Sequence, residues 1–456
     1  MERKDLMFQF LEKYLMGPMT RFSQLRFVRA ITAAGVATIP FTIVGSLFLV
    51  LNILPQAIPA LQPLFDATFV KITDLYMLAF KASMGIIALY FLLVISREYT
   101  RIFRDEESVN LNPMTGMLLS VFGMFMLIPQ FVNDGTLKLL NSPEKGILNG
   151  WAIGGDGVAR LGAIGIFTSI VVSFLVVHIY RFCVKRNLMI KMPEAVPEGV
   201  ANSFSALIPA VFVAIFFIIA NGILVALGTD IYQVVQIPFG FVTGIANTYL
   251  GLMVIFFLIS ALWLVGIHGA TIITSLVAPV TLVNLAENVN GANHVLAGEF
   301  YNAYIHLGGS GATLGLIVML ALFARSKQLK VLGRAAFVPG LFNINEPIIF
   351  GMPIVYNPIM AIPFFLAPMA SATLAYVAIK SGIVHPIVAQ QPWPTPIGIG
   401  AFIATGGDWK AIVLALACAL VAAAIYFPFF KAYDLKLHAQ ELGENISSAD
   451  TTTEGV

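Results

Sequence analysis

Residues 205–228 read SALIPAVFVAIFFIIANGILVALG, a stretch without a single Asp, Glu, Lys or Arg. A bilayer's hydrocarbon core is about 30 Å thick and takes roughly 20 apolar residues to cross as a helix, so this stretch is long enough to span it. Comparable runs precede it near 30–54, 70–96, 112–130 and 160–182, and follow it near 249–267, 268–285, 305–324, 354–379 and 410–430. Apolar side chains occupy every face of these runs, and the two-residue alternation of an outer-membrane barrel is absent. Composition agrees: 58% of the chain is hydrophobic, 11% is charged, and the mean hydropathy is +0.87. A water-facing globular surface goes with about 25% charged residues. The reading is an all-α polytopic membrane protein with about ten transmembrane helices.

The segment 231–247 is apolar but broken by Pro238, Gly240 and Gly244, which suits an interfacial or connecting helix better than a span. The run 268–285 fits either a span or a re-entrant hairpin. Basic clusters at Arg21/Arg26/Arg29, Arg97/Arg101/Arg104 and Arg181/Lys185/Arg186 flank alternate ends of the early spans. By the positive-inside rule these ends face the cytoplasm, and ten crossings return the C-terminus there, with Arg325, Lys327, Lys330 and Arg334 on the same side. Localisation in a bacterial inner membrane with both termini cytoplasmic is expected.

Four regions follow. Residues 1–29 mix Lys4, Lys13, Arg21, Arg26 and Arg29 with Phe8, Leu11, Leu15, Phe22 and Phe27, the pattern of an amphipathic cytoplasmic segment. No short apolar core with a small-residue cleavage site precedes the first run, which is expected to act as the insertion signal. An N-terminal transmembrane region covers 30–200 and a C-terminal region 201–430, divided near the basic, proline-bearing loop 183–200. Residues 431–456 read as a polar cytoplasmic tail without hydrophobic pattern. Cys183 and Cys418 lie in such different settings that they read as packing residues, not as a disulfide or metal pair. A net charge of +2 carries no nucleic-acid signature.

Polar groups are costly in lipid, so their positions direct attention to function. Gly266-Ile267-His268-Gly269-Ala270 puts an imidazole between small neighbours at the end of an apolar run, close enough to touch a ligand, although a helix-end histidine bonded to a carbonyl has the same sequence. In Leu341-Phe342-Asn343-Ile344-Asn345-Glu346-Pro347-Ile348-Ile349-Phe350-Gly351, Pro347 disfavours helix at Glu346, so an interrupted element is expected. Broken backbone at membrane depth must be buried in protein or line a polar cavity. There Glu346, Asn343 and Asn345 can supply the acceptors and donors that gather sugar hydroxyls, although a structural Glu hydrogen-bonded to a neighbouring helix has the same sequence. Gly309 and Ser310, within His306-Leu307-Gly308-Gly309-Ser310-Gly311, can expose backbone to a ligand, and glycine pairs also permit close helix packing. Trp393, within Gln390-Gln391-Pro392-Trp393-Pro394-Thr395-Pro396, can stack on the apolar face of a pyranose or anchor at a membrane interface. There is no Walker A loop, no HExxH and no Gly-x-Ser-x-Gly, and no cofactor or metal motif, so uphill transport would draw on an ion gradient or a partner protein.

Asn343-Ile344-Asn345-Glu346-Pro347-Ile348-Ile349-Phe350-Gly351 with Pro353, together with Gly266-Ile267-His268-Gly269 and Gln391-Pro392-Trp393 in order and spacing, resembles the membrane component IIC of the bacterial phosphoenolpyruvate-dependent sugar phosphotransferase system, in the lactose, cellobiose and diacetylchitobiose family. The resemblance runs from about residue 5 to 435. It implies a homodimer in membrane lipid, re-entrant hairpins, and an elevator-like C-terminal domain that holds sugar. It also implies that Glu346 and His268 sit at the reacting C6 hydroxyl, with Asn343, Asn345, Gly309 and Trp393 in the same matching segments. A separate cytoplasmic phospho-IIB protein, recharged by IIA, would donate the phosphoryl group to a β-linked disaccharide of cellobiose or diacetylchitobiose type. An ion-coupled secondary sugar carrier and a nontransporting membrane sugar sensor are the alternative readings.

Overall fold

The computed structural model describes residues 21–22, 24–57, 59–154, 157–190, 192–193, 197–264, 268–352, 354 and 358–442. Most of the amphipathic 1–29 segment, Gly266, Ile267, Pro353 and the tail beyond 442 lie outside the described residues.

The principal helices are α1 (Arg26–Ala57), α2 (Ile87–Glu107), α3 (Pro113–Leu127), α4 (Ile166–Lys185), α5 (Leu207–Ala226), α6 (Ile231–Ala246) and α7 (Tyr249–Leu264) in the first part of the chain. They are followed by α8 (Gly269–Val289), α9 (Leu314–Phe323), α10 (Lys327–Leu341), α11 (Glu346–Gly351), α12 (Pro358–Lys380), α13 (Ile399–Ala404) and α14 (Trp409–Glu441). On α2 the fully buried Ile87, Ala88, Phe91, Leu92 and Ile95 form one face, set against α1 and α4. In lipid, helix association rests on close packing, and small residues provide it. Gly116 of α3 seats against Thr100 of α2, and Gly35 of α1 lies where a Cβ would come within 3.3 Å of the Ser275 carbonyl on α8. By contrast Ile218, Ile219 and Ile223 of α5 are exposed, as a lipid-facing helix requires.

Among the described residues seven helices are long and apolar enough to cross a membrane, or eight if α6 and α7, bent by 79° across their short break, form one span. This corrects the expectation of about ten, and three runs explain the difference. The run at 112–130 yields only the 15 residues of α3, started by an Asn112 cap and Pro113 and followed by strand from Phe131. The run at 249–267 yields the 16 residues of α7, beginning at the bend. The run at 305–324 opens in a π-helical turn (Tyr301–Ile305) and a glycine-rich loop, leaving α9 with 10 residues. At 1.5 Å per residue such a helix covers about half the hydrocarbon thickness.

The fold also departs from all-α in one place. Between α3 and α4, β1 (Phe131–Asn133) pairs antiparallel with β2 (Leu137–Leu139), and β3 (Ile147–Leu148), β4 (Trp151–Gly154) and β5 (Gly157–Val158) form a second small sheet. A polar, glycine-rich loop must satisfy its own backbone, and Gly135 at φ 97° makes the first turn. At the other end of the chain the polar segment from 431 is not featureless: α14 continues through it to Glu441.

The early basic clusters meet at one end of the molecule. Glu107 pairs with Arg26, Arg181 and Lys185 at 2.6–2.7 Å, and Glu106 pairs with Arg26 at 2.7 Å and with Arg29, so the carboxylates at the end of α2 tie α1, α2 and α4 together.

Candidate functional site

α9 and α10 form a helical hairpin whose open end carries the interrupted segment. α10 closes at Asn343, which adopts φ 63° and donates its own amide to the Gly340 carbonyl, while the amides of Phe342 and Ile344 both bond back to the Pro339 carbonyl. The Asn343 side chain accepts from Gly308 N–H at 2.9 Å and donates to the carbonyls of Trp393 (3.1 Å) and Thr395 (3.2 Å). Asn345 donates to the Ser310 carbonyl and to Thr313 Oγ1, both at 2.7 Å. Gly309, at φ 101°, lies directly against the Asn345 side chain, and a Cβ there would overlap it. The two asparagines thus use their N–H donors inside the protein, latching the glycine loop and the Trp393 loop to the end of α10. Gly309 stands behind this latch and is not among the residues facing the cavity beside it.

That cavity has a volume of about 430 Å³, within the roughly 300–1,000 Å³ range of small-molecule sites. It brings His268, Ser310, Asn343, Asn345, Glu346 and Trp393 together, six of the seven residues that the sequence points to, with α1 supplying Thr38, Ile39 and Thr42 as the facing wall. Pro347 stands in the first turn of α11, where its missing N–H is harmless, and Glu346 projects at the helix start. The Glu346 carboxylate is exposed to the cavity and has no ion-pair or hydrogen-bond partner among the described residues. His268 caps α8: its Nδ1 accepts from Thr271 N–H at 3.2 Å and pairs with Thr271 Oγ1 at 2.8 Å. The ring proton therefore sits on Nε2, leaving that nitrogen as a donor. The imidazole lies 4.3 Å from the ring centre of the buried Trp263, which fixes its plane. Trp393 is 46% exposed, its ring free to meet a ligand.

A second polar chain lines the same cavity and escaped selection from the sequence. Glu299 accepts from Asn302, Asn302 Oδ1 meets His306 Nδ1 at 2.8 Å, and His306 Nε2 meets Ser310 Oγ at 3.2 Å. The spacing of Glu299, Asn302 and His306, three and then four residues apart, is the one-face signature of a helical turn. Two buried polar atoms of cavity-lining side chains, Gln390 Oε1 and Trp263 Nε1, lack a partner among the described residues. Such groups are costly unless a ligand or water completes them. Among the described residues no Lys or Arg lines the cavity. Two carboxylates, two imidazoles, amides, hydroxyls and an indole suit a neutral polyhydroxylated molecule, not an anion.

A polytopic helical membrane protein with such a chamber at a broken helical hairpin belongs to the class of permeases for small polar solutes. The family profile described as "Phosphotransferase system, EIIC" matches residues 33–368, and the chain belongs to this family of sugar-translocating components, which work with the phosphoryl carriers IIA and IIB. It is 32% identical to the "PTS system cellobiose-specific EIIC component" of Geobacillus stearothermophilus, over 98% of this chain and 99% of that one. It is 31% identical to the "Lichenan permease IIC component" of Bacillus subtilis (strain 168), over 93% of each. The fold is similar to the crystal structure of the transporter ChbC, the IIC component from the N,N'-diacetylchitobiose-specific phosphotransferase system, with a TM-score of 0.84 and 31% identity over 95% of this chain and 100% of that one.

Proposed function

We propose that this permease carries a β-linked disaccharide of cellobiose or diacetylchitobiose type and presents its C6 hydroxyl to the phosphocysteine of a separate cytoplasmic IIB protein. The names of the relatives, which include cellobiose, lichenan and diacetylchitobiose systems, support the sugar class. The observation that carries the reading is the Glu346 carboxylate, without a partner among the described residues, open to a cavity whose described lining has no Lys or Arg and sharing it with the His268 Nε2 donor. In the transfer step the C6 oxygen attacks phosphorus, the S–P bond breaks, the cysteine leaves as thiolate, and the hydroxyl proton passes to Glu346. His268 holds a neighbouring hydroxyl, Trp393 stacks on a pyranose face, and Asn343, Asn345, Gly309 and Ser310 fix the loops around them.

The same reading includes a homodimer in membrane lipid assembled through the 30–200 region and a substrate-holding part within 201–430. It includes re-entrant hairpins in that substrate-holding part and places both termini in the cytoplasm. The convergence of the Arg26, Arg29, Arg181 and Lys185 side chains at one end supports that orientation. Uptake of radiolabelled cellobiose, diacetylchitobiose and lactose into vesicles, with and without IIA, IIB and their phosphoryl donor inside, tests it. One sugar should accumulate as its phosphate only with the partners. Accumulation of unmodified sugar driven by an ion gradient would replace the proposal with an ion-coupled carrier.

A further inference from the structure

The hairpin that ends in Glu346 is held along its length by α14. Near the site, Tyr426 Oη donates to the Gly311 carbonyl at 2.9 Å, and Ala423 packs against Gly315. At the far end, where α9 turns into α10, two carboxylates of α14 collect the free amides. Asp434 accepts from Arg325 N–H at 3.0 and 2.9 Å with its two oxygens and from Ser326 N–H at 2.9 Å. Glu441 accepts from Lys327 N–H at 2.9 Å, Gln328 N–H at 3.1 Å and the Ser326 hydroxyl at 2.7 Å.

The opening amides of a helix have no partner within it, and negative charge is favourable there. Here these groups are met mainly by side chains more than 100 positions away, in addition to the local cap from Ser326 Oγ to Leu329 N–H at 3.3 Å. Asp434 is 4% exposed and has no basic side chain paired with it among the described residues, so the backbone amides are its compensation. Between this clamp and the Asn343 latch lie the 15 residues of α10, with no loop in between to absorb slack. A helix of that length is a strut of about 22 Å. A slip at its start is delivered to the segment that carries Glu346.

We propose that Asp434 and Glu441 are positioning residues for the sugar site, setting the register of α10 and hence the place of Glu346. The proposal rests on the reading of the cavity as a sugar site, but one of its readouts does not. The full-length protein in lipid nanodiscs is compared with Glu441→Gln, Glu441→Asp and Asp434→Asn by amide hydrogen exchange and by cellobiose and diacetylchitobiose binding. Glu441 is at the rim of the fold, so its variants remain informative if Asp434→Asn does not fold. Glu441→Gln should speed exchange about tenfold at 325–330 and also at 343–346, the size of one charge-assisted hydrogen bond, and weaken sugar binding about as much. Glu441→Asp, which keeps the charge, should recover part of both. Faster exchange confined to 325–330, with 343–346 and sugar affinity unchanged, reduces the carboxylates to a local cap and overturns the proposal. If 343–346 responds to the variants, yet no sugar protects it in the unaltered protein, the clamp stands and the sugar-site reading falls.

Discussion

Glu346 has no hydrogen-bond or ion-pair partner among the described residues, whereas Asn343 and Asn345 are committed to the latch. A carboxylate held without a partner is available to orient a hydroxyl and take its proton. Glu346→Gln preserves size and can still accept a hydrogen bond, but it cannot serve as that base. Phosphotransfer from phospho-IIB, followed in single turnover, is expected to fall about 10²–10⁴-fold. Sugar affinity by titration should change by less than about tenfold, the scale of a single hydrogen bond. Near-normal transfer would remove the proton-accepting role. Much of this site is legible in the sequence because Pro347 beside Glu346 announces broken backbone, and broken backbone in a membrane protein implies a cavity. What the sequence hides is direction. Asn343 meets partners 35, 50 and 52 positions away, so nothing local reveals that its donors turn inward and not toward a ligand. Glu299, Asn302 and His306 are legible only through their three- and four-residue spacing, which marks one face of a helical turn just before the glycine loop.

Hydropathy at the level of elements marks which segments are apolar, but it does not measure how much of each is straight helix. That is why 305–324 counts as a span by composition and yet folds as turn, loop and half-length helix. The glycines at 308, 309 and 311, all at positive φ, end the helical geometry there. A different element-level device joins α3 to α6. The buried Arg160 donates to the Leu127 and Ile128 carbonyls at 3.3 and 3.1 Å, pairs with Asp230, and lies over the Tyr232 ring at 4.3 Å. Asp230 in turn caps α6 by accepting from Gln233 N–H at 3.0 Å. One ion pair thus serves the C-terminus of one helix and the N-terminus of another, each with the favourable sign. Arg160→Met leaves the half-buried Asp230 without its ion-pair partner, and should destabilise the protein by about 1–3 kcal/mol in thermal or denaturant unfolding. Adding Asp230→Asn should restore part of that loss, and strictly additive losses would show that the two act separately.

For the molecule as a whole, seven or eight helices among the described residues are long and apolar enough to cross a membrane, and the proposed orientation puts the shared basic end in the cytoplasm. Epitope tags at both termini should be open to protease in inside-out vesicles and protected in right-side-out ones. Opposite exposure of the two tags would require an odd number of crossings and a revised topology. The facing walls of the cavity come from both halves of the chain, with α1 on one side and α8, α11 and the Trp393 loop on the other, so a shift between the halves reshapes the chamber. Among the described residues its walls hold carboxylates and imidazoles but no lysine or arginine. A neutral disaccharide rests there without penalty, whereas the ester made from it bears a charge of about −1.5 to −2 at neutral pH. On the proposed mechanism, with no Lys or Arg among the described lining residues to hold it, the product is disfavoured in the chamber by its own new charge. The chemical step then acts as a non-return valve: the sugar that has been marked no longer fits the door through which it came.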